Sequence, residues 1–137
     1  MTIIAITLNL TAALAIAMIG IRYLFGPVPA AYHAEILQSM GIAIDNPHRF
    51  LFKAFNMMFG FILMALSVSM GVITYFGMLI DNLLWTRLLI VFIGMLSGLP
   101  MTLVAYNMEK QTKVRTPWRV GVALTGVIVC AFGLSLL

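Results

Sequence analysis

Apolar residues gather in four long runs, over about residues 3–25, 50–76, 86–108 and 118–137. Charges touch these runs only near their ends: Arg22 late in the first, Lys53 early in the second. Each run supplies the roughly 20 residues that a helix needs to cross a hydrocarbon core about 30 Å thick. Inside lipid every backbone N–H and C=O must be bonded within the segment, so the runs are predicted to be helices. A β-barrel would show short stretches of alternating polarity, and the chain has none. Only Met1 and Thr2 precede the first run, with no positive region ahead of it. It therefore reads as a retained helix rather than a signal peptide.

The one long connection separates the first two runs. Pro27 and Pro29 end the first helix, and residues 30–40 then look helical. Tyr32, Ile36, Leu37, Met40 and Ile44 make an apolar stripe, with Glu35, Gln38 and Ser39 off it. This pattern predicts a short amphipathic helix lying at the interface, within an interfacial segment of about residues 30–44. Covering the bundle end is favoured over a lid or docking role. Asp45 or Asn46 can cap the second helix, with Pro47 in its first turn. Arg49, Lys53, Asn56 and Gly60 follow at helical spacing as a polar stripe expected to face the bundle.

Helices in lipid associate through small residues and polar contacts, because lipid tails are as apolar as Leu. The third run offers Gly94 and Gly98, followed by Pro100, which removes a backbone donor and is expected to kink the helix. Its freed carbonyl would need water, Ser97 or a neighbour. The second run offers Ser67 and Gly71, and the first Asn9, Ala13, Ala17 and Gly20. The fourth offers Gly121 with Thr125 and Gly126 with Cys130. One small face per helix predicts an all-α, polytopic four-helix membrane bundle, a single domain over residues 1–137. The G-x-x-x-G pair is expected to pack within the chain rather than between chains.

Charge then gives the bundle a direction. Only 9% of the 137 residues are charged, against about 25% in soluble domains, and mean hydropathy is +1.10. That excludes a soluble domain, a disordered chain and a disulfide scaffold. Arg22, Arg49, Lys53, Lys110, Lys113, Arg115 and Arg119 fall on one side, and only Arg87 on the other. The positive-inside rule puts the two basic connections in the cytoplasm and both termini outside. Aromatic residues agree, with Tyr23, Phe25, Phe50, Phe52, Tyr106 and Trp118 near the cytoplasmic interface and Tyr75, Phe76 and Trp85 near the outer one. The net charge of +4 suits contact with an anionic leaflet. Nucleic acid is not expected as a partner, since no stacking aromatics interleave the basic residues. Cys130 is expected to be a small buried packing residue.

The deep membrane holds no ionisable group: Glu35, Asp45, Asp81 and Glu109 all fall in loops or at helix ends. That weighs against a proton-coupled pump. His33 and His48 read as ordinary interfacial histidines rather than metal or haem ligands, and no metal site is predicted. The methionines, among them Met57, Met64, Met70, Met95 and Met101, are scattered like fillers of apolar helices. No nucleophile elbow, phosphate loop or C-x-x-C motif occurs, so no catalytic residue is assigned. The best constellation is a polar girdle at the cytoplasmic ends: Arg22 with Tyr23, then Arg49, Lys53 and Asn56, then Tyr106, Asn107 and Glu109, and Arg119. It could hold a lipid phosphate, a quinone head or another polar-headed apolar ligand. Snorkelling anchors and interhelical hydrogen bonds are the simpler expectation.

The stretch GIRYLFGPVPAAYHAEILQSMGIAIDNPHRFLFKAFNMMFGFILM, continuing into further spans, resembles the DoxX-like small four-helix membrane proteins of bacteria. The resemblance implies a compact bundle in a bacterial inner membrane. One member of the group is associated with quinone-linked sulfur oxidation, but no redox cysteine pair or cofactor ligand maps onto this sequence. The leading expectation is therefore an accessory, scaffold or lipid-binding membrane protein with no predicted cofactor, whose partners are lipids and either a second copy or another membrane protein. A redox subunit holding quinone or haem and a small oligomeric transporter are the alternatives.

Overall fold

The computed structural model describes residues 2–43, 45–80 and 83–137. The protein is all-α, with helices α1 (Thr2–Phe25), α2 (Ala31–Ser39), α3 (Asn46–Ile73), α4 (Leu84–Thr112) and α5 (Trp118–Ser135). A π-helical segment, Thr74–Ile80, prolongs α3. Four of these units, α3 being taken with its extension, are long and apolar enough to cross a membrane. The chain is thus a multi-pass four-helix bundle, with α2 as the short helix between the first two spans. Ile44 of the predicted stripe and the acidic Asp81 lie outside the described residues.

α1 is the central strut. It packs along α3 on one side and α5 on the other, and α4 packs on α5. α3 and α4 meet mainly at the corner that joins them. The α1–α3 seam forms because both helices are small at the crossing. A Cβ on Gly60 would lie 3.0 Å from the Gly20 carbonyl oxygen and 2.6 Å from Leu24. Two turns further along, the Ser67 hydroxyl donates to the Ala13 carbonyl at 2.7 Å. Ile16 and Leu63, between these points, and Ala12 and Met70, just beyond them, belong to the buried core.

On the other side, Gly94 faces Ile128, Gly98 faces Thr125, and Gly121 receives Thr102. The G-x-x-x-G pair therefore serves the α4–α5 contact within one chain. α4 runs unbroken through Pro100. The Ser97 hydroxyl bonds the Ile93 carbonyl at 2.7 Å, so it does not serve the Leu96 carbonyl that the proline leaves without its i+4 donor. Gly126 has open space around it, and Cys130 is exposed on the outside of α5. This corrects the expectation of a buried cysteine: α5 turns Ile128, Ala131 and Ser135 inward, and Cys130 lies off that stripe.

The π segment was not legible in the apolar pattern, because seven residues are too few to reveal a change of period. It widens the last turns before the corner. There Gly77 lies against Thr86, and its carbonyl accepts the Leu83 N–H at 2.9 Å. Arg87, the lone basic residue at this end, donates to the Ser135 carbonyl. A cation on the last carbonyls of α5 complements the negative end of its dipole.

Register and length fix the opposite end. With Gly20 over Gly60, α1 stops five residues later at Phe25, while α3 reaches back to Asn46. About nine residues of α3, roughly 13 Å at 1.5 Å per residue, therefore project past α1. α3 and its extension total 35 residues, about 50 Å of helix against a core of about 30 Å. The overhang is where Arg49 and Lys53 sit.

Candidate functional site at the basic end

The overhang explains how the predicted polar stripe divides. Asn56 and Gly60 lie inside the seam and are buried, Asn56 being 4% exposed. Arg49 and Lys53 are exposed, which corrects the expectation that all four face the bundle. The reason is geometric, since α1 has ended before it could cover them. Arg22 and Asn107 are exposed as well.

Arg119 has a different role from the other girdle members. Its guanidinium forms two hydrogen bonds with the Glu109 carboxylate, at 3.0 and 3.4 Å, and lies 4.7 Å over the Trp118 ring. The same carboxylate accepts the Thr116 N–H at 2.8 Å, and the Thr116 hydroxyl donates to the Ala105 carbonyl at 2.7 Å. Tyr106 meets Trp118 edge to face at 5.4 Å. Glu109, Thr116 and Arg119 thus tie the α4–α5 turn, which Lys113 enters with a φ of 61°. Charge-assisted bonds of this kind are stronger than neutral ones. This knot gives Arg119 a structural partner in Glu109, another girdle residue, and joins both to Thr116, which the sequence pattern did not single out. Thr116 lies beyond the end of α4 at Thr112, so helical spacing does not bring it to Glu109.

The remaining basic groups are different. Arg22, Arg49, Lys53, Lys110, Lys113 and Arg115 are exposed, and none has a carboxylate partner among the described residues. Asp45 is occupied by the α3 start, accepting the His48 N–H at 2.9 Å and lying 2.7 Å from its ring Nδ1. The His48 backbone N–H, then the nearby imidazole, hold the Asp45 carboxyl below its ordinary range.

α2 folds over this end with Tyr32, Ile36 and Leu37 of the predicted face inward, while Met40, just past its last turn, is 60% exposed and departs from the expectation. Ile36 is buried, Tyr32, His33 and Leu37 are half-buried, and Glu35, Gln38 and Ser39 are exposed. Tyr32 shares a hydroxyl–hydroxyl hydrogen bond of 2.6 Å with Tyr23 of α1. Burial, then the Tyr23 hydroxyl, keep the Tyr32 phenol protonated far above its ordinary range. The His33 ring lies between Tyr32, at 4.0 Å, and Phe52 of α3, at 6.2 Å between centroids. Beneath it is an open pocket of about 250 Å³ lined by α2 residues, by Met40 and Ile42 that follow them, and by Phe52 and Met108. The His33 Nδ1 is sealed from solvent and has no hydrogen-bond partner among the described residues. Burial pushes its imidazole below the usual 6.5, so it is neutral at pH 7. The sequence placed His33 at this interface. It could not show Met108, which reaches the pocket from 75 positions away.

A second polar locus lies deep in the seam. Asn9 is 3% exposed and donates to the Met78 sulfur at 3.4 Å. Its Oδ1 and the fully buried Thr74 hydroxyl lack partners among the described residues. No group of three or more His, Cys, Asp or Glu able to hold a metal occurs among the described residues. Comparison with protein-family models, with curated proteins and with solved structures gave no match to this chain.

Proposed function

We propose that this chain is an accessory or scaffold protein of the bacterial cytoplasmic membrane, with both termini outside, that binds anionic lipid at its cytoplasmic end. The observation carrying this reading is the set of six exposed cations, from Arg22 to Arg115, that no carboxylate neutralises among the described residues. A soluble partner is not needed to explain them. A basic residue beside an anionic leaflet contributes about 1 kcal/mol. The resemblance to DoxX-like proteins supports the choice of membrane, and the seven-to-one split of basic residues supports the orientation.

Native mass spectrometry in mild detergent tests the reading with phosphatidylglycerol and phosphatidylcholine as probes. The wild type is expected to retain phosphatidylglycerol preferentially. Arg49→Gln with Lys53→Gln should weaken that retention about fivefold per charge removed. Equal retention of both lipids would contradict the proposal. Orientation is checked on a Cys130→Ala background by cysteines placed at Lys113 and Leu137. An impermeant maleimide should reach the second in intact cells and the first only after permeabilisation.

A further inference from the structure

The hollow beneath α2 and the exposed cations of α3 lie side by side. Phe52 lines the hollow, Lys53 follows it in the chain, and Arg49 precedes it by one helical turn. Positions 49, 52 and 53 share one face of a helix. All three belong to the part of α3 that projects past α1. Because α3 with its extension is much longer than the hydrocarbon core, the hollow sits at the membrane interface.

Three properties define the occupant. Among the described residues the wall exposes no polar atom, and the His33 Nδ1 is sealed away from it. A buried water needs two or more polar partners and finds none here, so what fills the hollow is apolar. Secondly, the hollow is open, with exposed Met40 and Ile42 at its rim, so it admits a chain whose remainder lies outside. Its volume is about 250 Å³. An apolar cavity of roughly 150 Å³ takes the six carbons of benzene, so there is room here for about ten chain carbons. Thirdly, the flanking charge selects the other end of the ligand. Arg49 and Lys53 are exposed, and neither has a carboxylate partner among the described residues. Asp45 is held by His48, Glu109 by Thr116 and Arg119, and Glu35 is exposed on α2. A guanidinium bonds a phosphate through two parallel N–H groups, and an ammonium adds a point charge beside it.

We infer that one anionic phospholipid is seated here, its phosphate between Arg49 and Lys53 and the head-proximal part of one acyl chain in the hollow, against Phe52 and Met108. The site rests on the anionic-lipid reading and narrows it. Charge near a leaflet attracts anionic lipid in general, whereas cations beside an apolar hollow hold one molecule by both its ends. The rest of the lipid stays in the leaflet, past Met40 and Ile42.

The test uses the full chain, ¹³C-labelled at its methionine methyl groups, in phosphatidylcholine nanodiscs. The probes are phosphatidylglycerol and phosphatidylcholine at equal, low mole fraction, each carrying a nitroxide on the fifth carbon of one chain. Labelled phosphatidylglycerol is expected to broaden the Met40 and Met108 signals at least about fivefold more than labelled phosphatidylcholine. Met58 and Met101, exposed on α3 and α4, should show no such contrast. Arg49→Gln with Lys53→Gln should remove the contrast. Leu37→Trp fills the hollow and should abolish it at Met108. Ile42→Trp, at the exposed rim, serves the same purpose if the first filling variant fails to fold. A contrast shared equally by Met58 and Met101 would mean lipid that merely surrounds the bundle, and overturns the seat. A contrast untouched by the double charge variant overturns the role of Arg49 and Lys53. One untouched by the folded filling variant overturns the hollow. Preferential retention of phosphatidylglycerol in native mass spectra, with no contrast at Met40 and Met108, overturns the seated lipid alone. Equal retention of the two lipids overturns it together with the anionic-lipid reading.

Discussion

The α1–α3 seam and the basic end are built from the same helices and follow opposite rules. In the seam, glycine against glycine brings two backbones together, and Ser67 spends its hydroxyl on a facing carbonyl. A third of the most apolar stretch of α1 is buried, between α3 and α5, against 11% for α4, whose outer face carries an open apolar groove of about 740 Å³. At the basic end, helices outrun their neighbours, six exposed cations have no carboxylate partner among the described residues, and a short helix covers a pocket. Close packing leaves no room for chemistry. The overhang leaves both exposed charge and an open apolar hollow, so a ligand is to be sought there.

The sharpest way to break the comparison is to enlarge one glycine of the seam. Gly60→Val must displace Leu24 and press on the Gly20 carbonyl, and should destabilise the bundle by about 2 kcal/mol. On the same helix, a Cβ at Gly71 would meet nothing within 4 Å, so Gly71→Val is the control. Its thermal midpoint in mild detergent should stay near wild type. Equal losses in the two variants would remove the seam from the account.

A smaller effect is expected from Ser67→Ala. It deletes the bond to Ala13 and should cost about 0.6 kcal/mol, the average found for interhelical hydrogen bonds in membranes. Val68→Ala, on the lipid-facing side next door, should cost less, as measured by the same unfolding series.

The spans, the α2 segment, the start of α3 at Asp45 or Asn46 and part of the small faces were legible, because hydropathy and helical spacing report local physics. Arg49 and Lys53 were not, because their exposure depends on where α1 stops relative to α3. That register is set by Gly20 meeting Gly60, a contact 40 positions apart. The Glu109–Thr116–Arg119 knot and the approach of Met108 to His33 escaped for the same reason. The wrong inward placement of Cys130 shows the limit of counting small residues: α5 has two small pairs, and only the one containing Gly121 and Thr125 packs.

The basic end should respond to pH where the seam does not. The folded His33 has a pKa below 6.5, so between the two values the undocked state binds more protons. Docking of α2 therefore strengthens as pH rises through that window and weakens as pH falls below about 6.5. Amide exchange in α2 should be faster at pH 5 than at pH 7.5, after correction for intrinsic rates, and His33→Phe should flatten the difference. The mildest change is expected for Glu109→Gln, which keeps the shape but weakens the Arg119 and Thr116 bonds. It should loosen residues 113–117 in amide exchange while the seam keeps its protection.

The claim that the basic end is the lipid-binding region is tested most directly by hydrogen exchange in nanodiscs of two compositions. Moving the protein from phosphatidylcholine to phosphatidylglycerol nanodiscs should raise protection over residues 46–54 and 113–117 and leave the α1–α3 seam unchanged. Identical exchange in both lipids, or a change confined to the seam, would contradict the account.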